Sequence, residues 1–341
     1  MTSSRVPPSP ARGWELTSLR RECGSRRPAA IPGDSQRLRL FRRKLLLAAV
    51  HVLANGVRLF FDIDGEQWSA AGDALRERPT VVLLHGGPGS DHSYFKPSFS
   101  GLRDVAQLVF LDHRGNGRSE RGERSDWNLA QWGDDVRAFC DVLGIEQPIV
   151  LGVSFGGIVA LSYAMRHPGH AGALVLSSTQ ARVTLERVLS TFERLGGEPA
   201  RSAAERFWKD PSNEALAGYA RHCWPHYTRA PTNPDVMARQ VNHADVLLHY
   251  TEREDQRFDL TPALGRIACP TLVLCGQDDP ITPIADSEDL AREIRGAELA
   301  RFPDCGHGIF QDDPVGYFEA VRAFIERVDA ERSGGGRTAA G

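Results

Sequence analysis

Ser154 stands in Gly152-Val153-Ser154-Phe155-Gly156, directly after the apolar run PIVL and directly before the helical pattern GIVALSYAMRH. A serine with glycine two positions to either side, set between a strand and a helix, is the pattern of a nucleophile elbow. The turn is so tight that side chains at the flanking positions would collide with neighbouring backbone. The chemistry this permits is attack on an acyl carbon. A serine hydroxyl attacks only when a base takes its proton, so a histidine, steadied by an acid, must come from elsewhere in the chain.

Eleven histidines compete for that role. His307 lies in RFPDCGHGIFQDDP, beyond the last apolar run and before the final amphipathic stretch, between Gly306 and Gly308. His85, His92 and His113 also follow apolar runs but precede the serine, whereas the partners of an elbow serine follow it as acid and then histidine. His243 and His249 fall in a middle insertion and suit packing or substrate contact. The acid belongs after the run TLVLC, where GQDDPITP offers Asp278 and Asp279; spacing alone does not separate the two.

Acyl transfer also places negative charge on the carbonyl oxygen, which needs backbone N–H donors. The stretch VVLLHGGPG drops from a buried run into His85, Gly86, Gly87, Pro88 and Gly89, bare backbone that a substrate can approach. The expected oxyanion pair is the N–H of Gly87 and that of Phe155, with His85, Gly86, Pro88, Gly89, Gly152 and Gly156 as motif support.

The elements that must position these groups are legible as apolar runs alternating with helical patterns: TVVLL, QLVFLD, PIVLG, ALVLSS, TLVLC and AELARF. Such alternation predicts a mostly parallel sheet wrapped by helices, with ligands met at the carboxyl ends of the strands. One helix is predicted in detail, capped by Asn128, periodic at Leu129, Trp132, Val136, Phe139 and Leu143, and ended by Gly144. Near the start, RRKLLLAAVHVLA runs through Asn55-Gly56, a hairpin signal, into VRLFFDIDG, which predicts two opening strands rather than a secretory leader.

HGGPG, DHRGNGRS at 112–119, GVSFGG at 152–157, and the GQDDPITP and GHG segments together resemble the proline iminopeptidase branch of the α/β-hydrolases, over roughly residues 50–328. The resemblance implies an α/β-hydrolase fold, with a mostly parallel eight-stranded sheet, helices on both faces and a helical cap inserted after the sixth strand. With the arginine-, proline- and serine-rich start read as a disordered basic arm (1–45) or a mispredicted start, and the glycine-rich end as a disordered tail (331–341), the division is a first core part (46–178), the cap (179–262) and a second core part (263–330). Matching Gly276 and Pro283 to the family's G-x-x-D-x-x-x-P turn places the acid at Asp279. DHRGNGRS is read as structural, with Asp112 and Arg114 bonding locally and Gly115 and Gly117 allowing a sharp return. Phe155 departs from the tryptophan that often follows the nucleophile in this branch.

The branch holds its substrate's free amino terminus with cap carboxylates, for which Glu205, Glu214, Glu252 and Glu254 come into question, while Trp208, Trp224 and Tyr227 suit a pocket lining. The first expectation is therefore an aminopeptidase releasing N-terminal proline from small peptides. An esterase, amidase or lactonase acting on small metabolites is the alternative, and a non-catalytic ligand-binding homologue the remote one.

Composition narrows the classes further. A net charge of -3 with 41% hydrophobic and 25% charged residues gives no reason to expect nucleic acid as a partner. No run approaches the roughly 20 apolar residues of a membrane span. Six cysteines without C-x-x-C spacing suggest neither a zinc site nor a disulfide framework, and a reducing cytoplasm is expected. No cofactor or metal is required by the chemistry, the expected partner is a small-molecule or short-peptide substrate, and oligomeric state is not legible. Because the base must be neutral, activity is expected to rise through an apparent pKa of ~6–7 and to vanish in acid. A pH–rate profile that stays flat from roughly pH 4 to 9 would contradict a histidine base.

Overall fold

Asn55 and Gly56 both adopt positive φ, 48° and 81°, the geometry that a two-residue hairpin between right-twisted strands demands. In the computed structural model, which describes residues 51–335 apart from 73, 232 and 254–257, this turn joins β1 (His51–Ala54) to β2 (Val57–Asp64). In β2, Val57, Leu59 and Phe61 face the core while Arg58 faces solvent, the alternation of a strand covered on one side. A small separate hairpin, β3 (Trp68–Ala71) and β4 (Ala74–Glu77), follows, with no counterpart among the apolar runs of the sequence.

The remaining strands are the apolar runs: β5 (Thr80–Leu84), β6 (Gln107–Leu111), β7 (Ile149–Val153), β8 (Ala173–Ser177), β9 (Thr271–Gly276) and β10 (Glu298–Phe302). The main sheet has eight strands in the order β1-β2-β6-β5-β7-β8-β9-β10, antiparallel at β1–β2 and β2–β6 and parallel elsewhere. Central strands β7 and β8 are buried at every residue, which is why they read as continuous apolar runs rather than alternating ones.

Helices cover both faces. The first, α1 (Leu129–Leu143), begins where the Asn128 side chain accepts the Gln131 N–H at 2.9 Å and ends at Gly144 in the left-handed region. Trp132, Val136 and Phe139 form its buried stripe, as the periodicity predicts. The second, α2 (Phe155–Arg166), starts directly after the elbow. Between β8, the sixth strand of the main sheet, and β9 lies the cap, built from α3 (Leu185–Lys209), α4 (Asn213–His222), α5 (Pro234–Arg239) and α6 (Ala244–Arg253). Gly197, at φ 68°, breaks α3 in its middle. The cap has its own apolar cluster, in which Phe192, Phe207, Trp208 and Tyr219 pack together. The chain closes with α7 (Ile284–Glu293), the short α8 (Ile309–Asp312) and α9 (Pro314–Gly335). The last helix continues past 330, where a loose tail was expected to begin. The arm and the end of the tail, 336–341, lie outside the described residues.

DHRGNGRS folds as a polar knot under the strand ends. Arg114 donates from Nε and Nη2 to the two oxygens of Asp135, each at 2.7 Å, and from Nη2 to the Asn55 carbonyl at 2.8 Å; Arg114 and Asp135 are both buried. Asp112 accepts the His92 ring at 2.6 Å and the N–H groups of His92 and Arg118, both at 2.9 Å. Truncating one member of a buried ion pair strands the other charge. Asp135→Ala should therefore lower unfolding free energy by about 3–5 kcal/mol in urea titrations, while joint replacement Arg114→Met/Asp135→Leu recovers most of the loss.

Candidate active site

Two missing side chains shape the turn at Ser154. A Cβ on Gly152 would overlap the carbonyl of Gly156, and a Cβ on Gly156 would overlap the carbonyl of Leu84 at the end of β5. With that room, the backbone turns through Ser154 at φ 56° and ψ -121°, a conformation that a non-glycine residue holds only where its surroundings enforce it. The enforcing bonds are the Ser154 N–H to the Ser177 carbonyl at 2.9 Å and the Thr179 hydroxyl to the Ser154 carbonyl at 2.7 Å. Ser154 is left at the carboxyl end of β7 with its hydroxyl free to meet a base.

His307 and Asp279 come from the loops after β10 and β9. His307 Nε2 lies 3.0 Å from Ser154 Oγ, and its Nδ1 lies 2.8 and 3.0 Å from the two oxygens of Asp279. Asp279 is fully buried and accepts three further bonds, from the N–H groups of Ile281 and Thr282 and from the Thr282 hydroxyl, all within 2.9 Å. A carboxylate held this way keeps the imidazole proton on Nδ1 and leaves Nε2 as acceptor for the serine proton. Asp278, the neighbour that spacing could not exclude, turns the other way and pairs with the cap arginines Arg194 and Arg229.

The glycine loop lies over the serine, since a Cβ on Gly86 would sit 3.2 Å from Ser154 Cβ. Gly87 takes φ 119°, open only to glycine at low cost. Neither the Gly87 N–H nor the Phe155 N–H has an acceptor among the described residues, so both are available to an oxyanion. His85 is buried below the loop, bonding the Gly86 carbonyl through Nδ1 at 2.7 Å and accepting the His113 N–H on Nε2 at 3.2 Å. Burial pushes His85 and, further, His113 below the ordinary histidine range, so both serve as neutral struts. Gly89 N–H donates to Asn116 Oδ1 at 2.5 Å, tying the loop to the polar knot.

Above Ser154 the cap encloses a cavity of about 570 Å³, lined by Trp208, Trp224 and Tyr227 as anticipated. Phe207, Tyr219, Met237 and Tyr250, one from each cap helix, also line it and were not singled out in the sequence. His243 reaches the rim, its N–H on the Gly89 carbonyl at 2.6 Å and its Nε2 2.9 Å from the Gly117 carbonyl, whereas His249 packs edge-on against Trp127. No carboxylate, lysine or arginine occurs among the described residues that line the cavity. Of the acids considered for an amino terminus, Glu205 pairs with Lys209 and Glu214 with Arg206 on the outer surface, Glu252 is exposed, and Glu254 lies outside the described residues.

The family model of the alpha/beta hydrolase fold matches residues 79–314. The chain belongs to the α/β-hydrolase family. Among curated relatives, it is 30% identical to the "Putative carbamate hydrolase RutD" of Caulobacter sp. (strain K31), over 77% of this chain and 96% of the relative. It is 29% identical to the proline iminopeptidase PfmaB of Pestalotiopsis fici, over 79% of this chain and 99% of the relative. Among solved structures, the proline iminopeptidase of Mycobacterium smegmatis superposes with a TM-score of 0.67 at 20% identity, covering 83% of this chain and 99% of that one, a likeness of fold.

The two adjacent acids separate in a single experiment. Asp279→Asn should lower kcat about a thousand- to ten-thousand-fold by misorienting the imidazole. Asp278→Asn, which loses only partly exposed ion pairs, should stay within about fivefold of the parent. Steady-state rates on an activated ester, with thermal unfolding as a control for folding, read both.

Proposed function

We propose that this α/β-hydrolase is a serine hydrolase that works through an acyl-enzyme on small, uncharged esters, lactones or amides. Ser154 Oγ attacks the acyl carbon as its proton passes to His307 Nε2. Asp279 holds the imidazolium, and the Gly87 and Phe155 N–H groups receive the oxyanion. His307 then returns the proton to the leaving group. Water, deprotonated by the same base, attacks the acyl carbon and releases the acid, restoring the serine. The alignment of Ser154, His307 and Asp279 within 3.0 Å supports this sequence of steps.

The observation that carries the substrate class is the cavity lining, which among the described residues holds no carboxylate, lysine or arginine. Its polar lining is neutral, including Gln180, Thr228, Gln240, Asn242 and Gln311, and the rest is mainly aromatic and aliphatic. An ammonium group entering it would lose water without gaining a counter-charge, a penalty of several kcal/mol. A carbamate or ester, polar but uncharged, meets no such penalty.

Release of N-terminal proline is the second reading, favoured by HGGPG and by the similarity to proline iminopeptidases at 25–29% identity. It requires an anionic partner for the substrate amine, and the described candidates face solvent. Cytoplasmic location is proposed with either reading, on the free thiols of Cys140, Cys223, Cys269, Cys275 and Cys305.

Initial rates on p-nitrophenyl butyrate, on proline 4-methylcoumarinamide and on its N-acetylated form, with Ser154→Ala as blank, discriminate the two. We expect ester hydrolysis, with the acetylated amide cleaved at least as fast as the free amine. A free-amine preference of about tenfold or more, equivalent to ~1.4 kcal/mol, would replace this reading with the second.

A further inference from the structure

The oxyanion loop carries a feature that neither N–H of the expected pair explains. Tyr94, ten positions after Leu84 in β5, turns back so that its hydroxyl accepts the Gly86 N–H at 2.7 Å. Its ring is wedged between Phe95 and Phe310, with centroids 4.5 and 6.1 Å away. The same hydroxyl lies 3.3 Å from where a Gly86 Cβ would be, and Ser154 Cβ lies 3.2 Å from that point. Phenol and nucleophile therefore flank Gly86 on one side, and Tyr94 lines the catalytic cavity.

A phenol has one proton to give and lone pairs to receive. Gly86 uses a lone pair, which fixes where the oxygen sits. The proton finds no acceptor among the described residues. Burial pushes the phenol well above its ordinary range, so it keeps that proton at any working pH. A donor whose oxygen is fixed at the cavity wall, without a protein acceptor among the described residues, is available to an oxygen of a bound molecule.

We propose that Tyr94 is a catalytic residue of this site, its hydroxyl donating a third hydrogen bond to the carbonyl oxygen of the substrate as that oxygen becomes charged. The proposal rests on the serine-hydrolase reading. The Gly86 contact gives the phenol preorganised placement, the property that makes such donors effective in a transition state. It also selects substrates, because an acyl group whose oxygen is displaced from Gly86 forfeits the third bond.

Tyr94→Phe should lower kcat/KM about 10²–10³-fold, the usual cost of one oxyanion donor. That variant also removes the acceptor for Gly86, so the deciding variant keeps the oxygen. Site-specific replacement of Tyr94 by 2,3,5-trifluorotyrosine, in the full chain, makes the phenol more acidic, and ¹⁹F NMR reads its ionisation directly. A phenolate still accepts from Gly86 but donates nothing. The expected result is an alkaline fall in kcat/KM for p-nitrophenyl butyrate whose midpoint equals the ¹⁹F midpoint and which the parent lacks. A rate unchanged through that midpoint, or, if the ring stays protonated across the range, a kcat equal to the parent's despite the stronger donor, overturns the proposal. Failure of the parent protein to hydrolyse the ester, or to lose reactivity with a fluorophosphonate on Ser154→Ala, would instead defeat the underlying serine-hydrolase reading.

Discussion

Everything at this site depends on how closely two pieces of backbone approach each other. The start of α2 rests on the end of β5 without a side chain between them, because position 156 has none, and the elbow closes on itself because position 152 has none. That contact brings the N-terminus of α2, whose Phe155 N–H has no acceptor among the described residues, beside the loop that follows β5, so the proposed nucleophile and the proposed oxyanion donors are set by one packing event. Larger residues at either position would push the helix from the sheet and separate the three groups together. The strain at Ser154 is held by bonds to β8 and Thr179, elements that are themselves buried.

Around this contact the loops are held by buried polar groups rather than by regular structure. Asp112 gathers His92 and Arg118, Asn116 takes the Gly89 N–H, and Asp279 uses three bonds besides the one to His307. Asp312 plays the same part near His307, its two oxygens accepting the N–H groups of Gly306, Arg229 and Ala230, all at 2.8 Å. Asp112, Asn116 and Asp279 are buried and each is satisfied more than once, the condition under which buried polar groups rigidify rather than weaken a fold; Asp312 is half-buried.

The parts of this arrangement that sequence discloses are those governed by local rules. The elbow is legible because backbone sterics at 152 and 156 admit little but glycine, and the sheet because strands buried on both faces must be apolar throughout. Asn128 and Gly144 mark a helix because caps have short-range chemistry. The Asp278/Asp279 choice is different: the two carboxylates are chain neighbours, and what separates them is partners that spacing does not show, Arg229 and Arg194, 49 and 84 residues from Asp278, and His307, 28 residues from Asp279. Family spacing pointed to Asp279, and Asp279 is the carboxylate that lies against His307 Nδ1. The cavity is illegible for a related cause. Phe207, Tyr219 and Tyr250 have the spacing of an ordinary helix core, and which face meets Ser154 is set by how the cap sits. Of the carboxylates considered there, Glu205 and Glu214 form exposed ion pairs, where charged side chains cost least.

The cap also meets the His307 loop and the glycine loop through main-chain bonds. The carbonyl of Tyr227 receives the N–H groups of His307 and Gly308, and the N–H of His243 reaches the carbonyl of Gly89. The histidine-bearing loop and the glycine loop are thus both pinned through main-chain bonds to the element that shapes the cavity. Specificity and reactivity consequently share a frame. A cap grafted from another member of the family would bring new walls to the cavity, but unless it reproduced those two attachment points it would also detune the machinery beneath, so the binding surface and the chemistry are constrained to change together.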